Sequence, residues 1–320
     1  MARFSLYIFF IIAFWVAEAQ NNLFFSHHMF SPSYYNPAWV GVESVSSVSF
    51  LYRNQWTGYN TSFDGSGGAP NTQMLSFVVP VKDLPIQGIG LNVSNDNLGP
   101  ENNIQLQLSA AYELKLRFGS LYFGVMPGVF TKTINGNKLD PNDPTDPKLQ
   151  SFLGSRETQT KFNMGFGLLY QSDKGHYIGI SSVNLVEPSF DFGVDGLSNS
   201  QKRSYVIHGG KPFVINKKIT LRPNVILRTN LTGVTFDLGS ILNYNDKMWT
   251  GLSYRLEESL IAYFGYSLMN NKLKAGYSFD LVVHNPDAKQ PTSNEIFLRY
   301  NLPDFVFGGR KSVKTPRFTF

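Results

Sequence analysis

The sequence predicts an all-β chain closed into a transmembrane antiparallel β-barrel of about fourteen strands. Three observations carry this reading: long segments in which apolar and polar residues alternate with period two, an even number of such segments, and connections whose lengths sort by parity along the chain.

Residues 103–117 show the alternation in its longest form. Ile104, Leu106, Leu108, Ala110, Tyr112, Leu114 and Leu116 fall on one face, and Gln105, Gln107, Ser109, Ala111, Glu113, Lys115 and Arg117 on the other. Successive side chains of a strand point to opposite sides, so the segment is a strand with one apolar and one polar face. It exceeds the five or six residues usual in globular sheets and has the reach to cross a bilayer at a tilt, which takes about 9–11 residues. The pattern recurs through 161–171, around Pro223 in 219–229, and in 273–281 and 294–302, where Phe297 interrupts the polar face. The full set of candidate strands is 42–53, 72–80, 88–96, 103–117, 119–134, 161–171, 176–183, 204–214, 219–229, 234–244, 248–256, 260–268, 273–281 and 294–302. Twelve and sixteen are the neighbouring even counts.

With the chain starting in the periplasm, the odd connections are 54–71, 97–102, 135–160, 184–203, 230–233, 257–259 and 282–293. The even ones are 81–87, 118, 172–175, 215–218, 245–247 and 269–272, and the longest connections are all odd. Outer-membrane barrels have short periplasmic turns and longer extracellular loops, whereas a soluble sandwich has no reason to sort its loops this way. Aromatic residues near strand ends (Trp56, Tyr59, Tyr170, Tyr177, Tyr244, Trp249, Tyr254 and Tyr300) are candidates for the interfacial girdles.

The N-terminus fits export. Arg3 precedes an apolar run from Leu6 to Val16, and Ala17-Glu18-Ala19 supplies a small-residue cleavage site. Residue 19 is not cysteine, which removes a lipoprotein. The expected organisation is a signal peptide over 1–19, an N-terminal periplasmic segment over 20–41, the barrel over 42–302 and a periplasmic tail over 303–320. The expected location is the outer membrane of a Gram-negative cell.

Composition agrees. Charged residues are 16% of the chain, below the roughly 25% of a soluble domain, while aromatics reach 15%. The absence of cysteine removes disulfides, zinc–cysteine sites and thiol nucleophiles. A net charge of +5, scattered along 320 residues, does not describe a nucleic-acid partner.

No catalytic constellation emerges, and no cofactor is expected. His27-His28 is the one histidine pair, read as a surface pair near the mature N-terminus; no metal-ligand spacing accompanies it. Asp140, Asp143 and Asp146 could offer oxygen ligands to calcium, but Pro141, Pro144 and Pro147 equally describe a rigid exposed loop, which is the preferred reading. Arg222, Arg228, Arg255 and Lys274 fall on polar faces and are expected to point inward, in a charge network with Glu113, Asp237, Asp280 and Glu295 rather than in a lumen tuned for anions.

Three segments outside the pure alternation carry a resemblance. They are His28-Met29-Phe30-Ser31-Pro32 with Asn36-Pro37-Ala38-Trp39-Val40-Gly41; Tyr52-Arg53-Asn54-Gln55-Trp56-Thr57-Gly58 with Gly68-Ala69-Pro70-Asn71-Thr72-Gln73; and Gly88-Ile89-Gly90 running on to Asp96 and Gly99-Pro100. In this order, and over about residue 24 to Phe320, the chain resembles the PorP/SprF family of type IX secretion system membrane proteins of Bacteroidota. Ser31 and Asn71 depart from the usual pattern. The resemblance implies an outer-membrane barrel that works with the secretion and gliding machinery, supporting secretion or surface attachment of a large adhesin with a type B C-terminal domain. Its implied partners are that adhesin's C-terminal domain, machinery components and outer-membrane lipid, and it implies no enzyme activity. The candidate partner surfaces are 54–71, 135–160 and 184–203, with Trp56, Tyr59, Phe63, Asp140, Asp143 and Asp146 as candidate contacts. The alternative is a transport barrel for small or hydrophobic solutes, for which fourteen strands also suffice.

Overall fold

A computed structural model describes residues 23–59, 68–82, 84–138, 153–192, 197–284, 290–302 and 307–308. Fourteen strands form one closed antiparallel ring in chain order: β1 (Ser46–Asn54), β2 (Asn71–Lys82), β3 (Ile86–Leu98), β4 (Glu101–Leu116), β5 (Gly119–Asn135), β6 (Arg156–Ser172), β7 (Tyr177–Val183), β8 (Ser204–Gly210), β9 (Ile219–Thr229), β10 (Val234–Tyr244), β11 (Met248–Arg255), β12 (Ser259–Leu268), β13 (Leu273–Val282) and β14 (Thr292–Leu302). The ring closes because β1 pairs with β2 on one side and with β14 on the other, from Ser46 opposite Leu302 to Asn54 opposite Asn294. Closure gives each strand's N–H and C=O groups a partner without water, the condition for a sheet in lipid.

Each expected strand is present, with shifted ends. β8 is interrupted after Gly210, where Pro212 has no N–H to continue the ladder; Phe213 and Val214 then resume the pairing with Leu221 and Thr220 of β9 in the same register. β3 and β4 run to within two residues of each other, joined by Gly99 and Pro100, so the connection expected over 97–102 is a tight turn. Gly99 has a φ of 65°, which that turn requires. The longest connections, 55–70, 136–155 and 184–203, still share one end of the barrel. At the other end Asn245 and Asp246 both adopt positive φ, 53° and 54°, the geometry of a two-residue hairpin turn.

The wall is apolar outside and polar inside. On β4, Leu106 and Leu108 are exposed while Gln107 and Ser109 are buried; on β11, Leu252 is 72% exposed beside Ser253 at 4%. Exposed leucines next to buried serines invert the pattern of a soluble protein and suit a lipid-facing wall. Tyr244, Tyr254 and Tyr300 face outward as girdle residues should, but Trp249 is buried and Tyr177 lines the lumen, so those two are interior packing residues. Among the described residues no helix is long and apolar enough to cross a membrane.

The interior is occupied by the chain's own N-terminal segment. Residues 23–43 fold into three short 3₁₀ turns, His28–Phe30, Pro32–Tyr34 and Pro37–Gly41, packed against the inner wall. The expectation that residues 20–41 lie outside the barrel is therefore corrected for the described part of that stretch. Phe25, Ala38 and Val40 are fully buried there and Tyr34 and Tyr35 nearly so. These are the apolar groups that a polar-lined lumen would otherwise leave wet.

Candidate functional site

Two places hold the N-terminal segment. The first is a contact between motifs that lie far apart in sequence. The Asn36 side chain accepts from the Ala38 N–H at 3.0 Å, capping the third 3₁₀ turn, and its amide nitrogen donates to the Leu168 carbonyl of β6 at 3.0 Å. The turn then lies flat on glycines. A Cβ on Gly124 of β5 would sit 2.2 Å from the Ala38 nitrogen, and one on Gly88 of β3 would sit 1.9 Å from the Val40 oxygen. The Asn36–Gly41 motif and the Gly88–Gly90 motif are thus two sides of one contact. Two other motif elements also meet: the Gln55 N–H donates to the Pro70 carbonyl at 2.8 Å, and the Thr72 hydroxyl to Asp96 at 2.6 Å.

The second holding place is a buried charge layer toward the long-loop end. The Ser26 and His27 backbone N–H groups each donate to the Glu295 carboxylate at 2.7 Å, and the His27 ring Nδ1 donates to the same group at 2.7 Å. The Ser26 hydroxyl donates to Asp280 at 2.7 Å. Arg53 donates to the Ser26 hydroxyl at 2.6 Å and to Asp280 at 2.8 Å. Asp237 accepts from Arg228 at 3.1 Å and from Arg255 at 3.0 Å. The Arg228 guanidinium also stacks 4.0 Å from the centre of the Phe24 ring. Three arginines thus balance three carboxylates, all nearly inaccessible to water. Charges at this depth persist only when paired and hydrogen-bonded, which these are.

The expected inward network therefore contains Arg228, Arg255, Asp237, Asp280 and Glu295, and it also contains Arg53, which sequence reading missed. Its position on the polar face of β1, inside the Tyr52–Gly58 motif, was the available signal. Glu113 stands apart, accepting from Ser120 and Tyr122. His27 and His28 are buried rather than a surface pair, because the segment that carries them is drawn inside. The His28 Nε2 lies 3.2 Å from the Asn224 side-chain oxygen, which can only accept, so this nitrogen carries the proton. Burial pushes the His28 imidazole down to about 4. Among the described residues no group of three or more His, Asp or Glu could hold a metal ion.

Toward the short-turn end, below the N-terminal segment, the lumen opens into a cavity of about 520 Å³. Arg222 and Lys274 line it together with Arg299, whose guanidinium grips Glu43 through two bonds of 3.2 and 2.6 Å.

At the long-loop face Trp56 and Tyr59 come together, ring centres 6.0 Å apart, with the Trp56 backbone N–H donating to the Ser293 hydroxyl. Trp56 holds a φ of 53°, an unusual conformation for a bulky residue. Phe63, Asp140, Asp143 and Asp146 lie outside the described residues. The connection 184–203 turns inward in part: residues 189–192 pair with 197–200 as a small hairpin, and Phe190 and Phe192 are buried against Phe130 of β5. Its described aromatic side chains serve packing rather than an outer surface.

Fold and interior together define an outer-membrane β-barrel whose lumen is occupied in part by its own N-terminal segment. The sequence matches the family described as type IX secretion system membrane protein PorP/SprF over residues 17–300. The chain belongs to this family. Among solved structures it is similar to a Pseudomonas aeruginosa FadL homologue, with 13% identity and a TM-score of 0.51, covering 85% of this chain and 94% of that one. It is also similar to the Ralstonia pickettii toluene transporter TbuX, with 12% identity and a TM-score of 0.50, covering 83% and 92%. At these identities the likeness is one of fold. None of the curated proteins compared matches the sequence.

Proposed function

We propose that this barrel supports secretion or cell-surface attachment of a large adhesin carrying a type B C-terminal domain, by binding protein rather than by catalysis. The observation that carries the reading is membership of a type IX secretion family across nearly the whole chain. The packed long-loop half of the lumen supports it, because a barrel stoppered there with aromatic rings and paired charges is better suited to hold a partner at that rim than to conduct one through. The long-loop face is the proposed contact, with Trp56, Tyr59, Phe63, Asp140, Asp143 and Asp146 as its candidate residues and aromatic side chains as its anchors. The tail over 303–320, with Arg310, Lys311, Lys314 and Arg317, would meet machinery components in the periplasm.

The second reading is a transport barrel for small or hydrophobic solutes. The fold shared with a protein described as a toluene transporter favours it. Gene deletion separates the two. Loss of surface display of a co-encoded adhesin, with solute uptake intact, is the expected result; normal display with impaired uptake would sink the adhesin reading.

A further inference from the structure

We propose that the cavity at the short-turn end of the lumen binds a small organic carboxylate with an aromatic or alkyl body. The proposal is independent of the adhesin reading, since it concerns the opposite end of the barrel.

Size and lining set the class of ligand. At about 520 Å³ the cavity lies within the roughly 300–1,000 Å³ of small-molecule pockets. The N-terminal segment closes its inner end with Phe30 and Trp39, and Tyr177 and Trp249 add two further rings. These surfaces favour an apolar body.

Charge sets the head group. Arg222, Lys274 and Arg299 line the cavity against Glu43 and Asp246. Glu43 is held in the two-bond grip of Arg299, and Asp246 sits on an exposed turn. Among the described residues the side chains of Lys274 and Arg222 have neither a hydrogen bond nor an ion-pair partner. At the long-loop end of the same lumen, by contrast, Arg53, Arg228 and Arg255 all meet carboxylates. Lys274 is half-buried beside these aromatic walls and loses part of its hydration, which an anion would offset, while Arg222 stands exposed at the cavity's edge. The two cations stand on different strands, β9 and β13, so they reach the cavity from separate parts of the wall.

Trp39 and Trp249 face the cavity and act as reporters. The test titrates the full chain, folded in a neutral detergent, with 3-phenylpropionate and with its uncharged analogue 3-phenylpropanol, reading tryptophan fluorescence. The acid should quench saturably and bind at least roughly tenfold more tightly than the alcohol, a difference of about 1.4 kcal/mol. Lys274→Met combined with Arg222→Met should abolish that preference and leave the weak binding of the alcohol in place. If the double variant does not fold, raising the salt concentration on the unaltered protein should weaken the acid and not the alcohol. Equal affinities for acid and alcohol, absence of saturation, or a preference untouched by both the double variant and salt would each overturn the proposal.

Discussion

His27 and Glu295 are joined twice at a single oxygen: the ring Nδ1 and the backbone N–H of His27 both reach Oε1 at 2.7 Å. The other oxygen of Glu295 takes the Ser26 N–H. One carboxylate on the last strand thereby fixes the entry of the N-terminal segment into the barrel, and Glu295→Ala should release it. Removing one member of a buried, hydrogen-bonded charge cluster costs about 3–5 kcal/mol, since the Ser26 and His27 backbone N–H groups and the His27 ring lose their acceptor and Arg53 loses an ion-pair partner at 3.5 Å. Limited proteolysis should then cut within residues 23–43 while the heat-modifiable gel shift of the barrel persists; an N-terminal segment as protected as before would contradict this assignment.

The same segment should respond to pH. An unfolded imidazole titrates near ~6.5, whereas burial pushes His28 down to about 4; Arg228 and Arg255 act with burial and Asp237 against it. Below pH ~6.5 the unfolded segment takes up a proton that the folded one refuses. The His28 contribution is therefore present above that pH and declines toward pH ~4, by up to about 3 kcal/mol. Hydrogen exchange of residues 23–43 should quicken over this window, and His28→Gln should flatten the dependence.

Gly124→Val tests the other holding place. A side chain there meets the backbone of Pro37 and Ala38, which cannot rotate away as a flexible side chain could. We expect the third 3₁₀ turn to lift from the wall, with quenching of Trp39 by a soluble quencher as the readout. Valine suits strand geometry, so the barrel itself should still close. Unchanged quenching would show that the turn tolerates displacement of β5.

Leu108 sits midway along β4 on the outer face, with Gln107 and Ser109 behind it. Leu108→Arg places a charge toward the lipid and should destabilise the folded barrel by about 2–4 kcal/mol, measured by urea titration in lipid vesicles. A cost near zero would argue that this face does not meet hydrocarbon.

Replacing 136–155 by a short turn should leave β5 and β6 paired, because their ladder runs without interruption from Gly119 opposite Ser172 to Asn135 opposite Arg156. Capture of the adhesin's C-terminal domain should weaken. An unaltered pull-down would remove this connection from the proposed contact.

The wall was legible in the sequence because lipid on one side and a polar lumen on the other impose period two on each strand; the alternation from Ile104 to Leu116 needs no tertiary information to be read. The N-terminal segment was not. Its three 3₁₀ turns are too short to develop a period, and Pro32 and Pro37 read as well for an exposed linker as for packed turns. Its partners are also remote: Ser26 meets Asp280 across 254 positions and Asn36 meets Leu168 across 132. The inward charges were legible as a class, since Arg228 and Asp237 occupy polar faces of adjoining strands, but alternation alone could not recruit Arg53 or exclude Glu113. A glycine in a strand speaks, as sequence, only of relief from crowding. Gly124 and Gly88 identify what crowds them: the backbone of Ala38 and Val40.

The clasp at Glu295 also orders events in time. Translation and export deliver Ser26 and His27 early, yet Asp280 and Glu295 belong to the last hairpin of the chain. Contacts that span 254 to 269 residues are among the slowest to form, because most of the polymer must be in place before they exist. The N-terminal segment must therefore wait inside an unfinished wall, and its capture coincides with the zipping of β14 onto β1. Sealing the seam and stoppering the lumen become one event, so an assembly intermediate short of its final hairpin is also one with an unlatched interior.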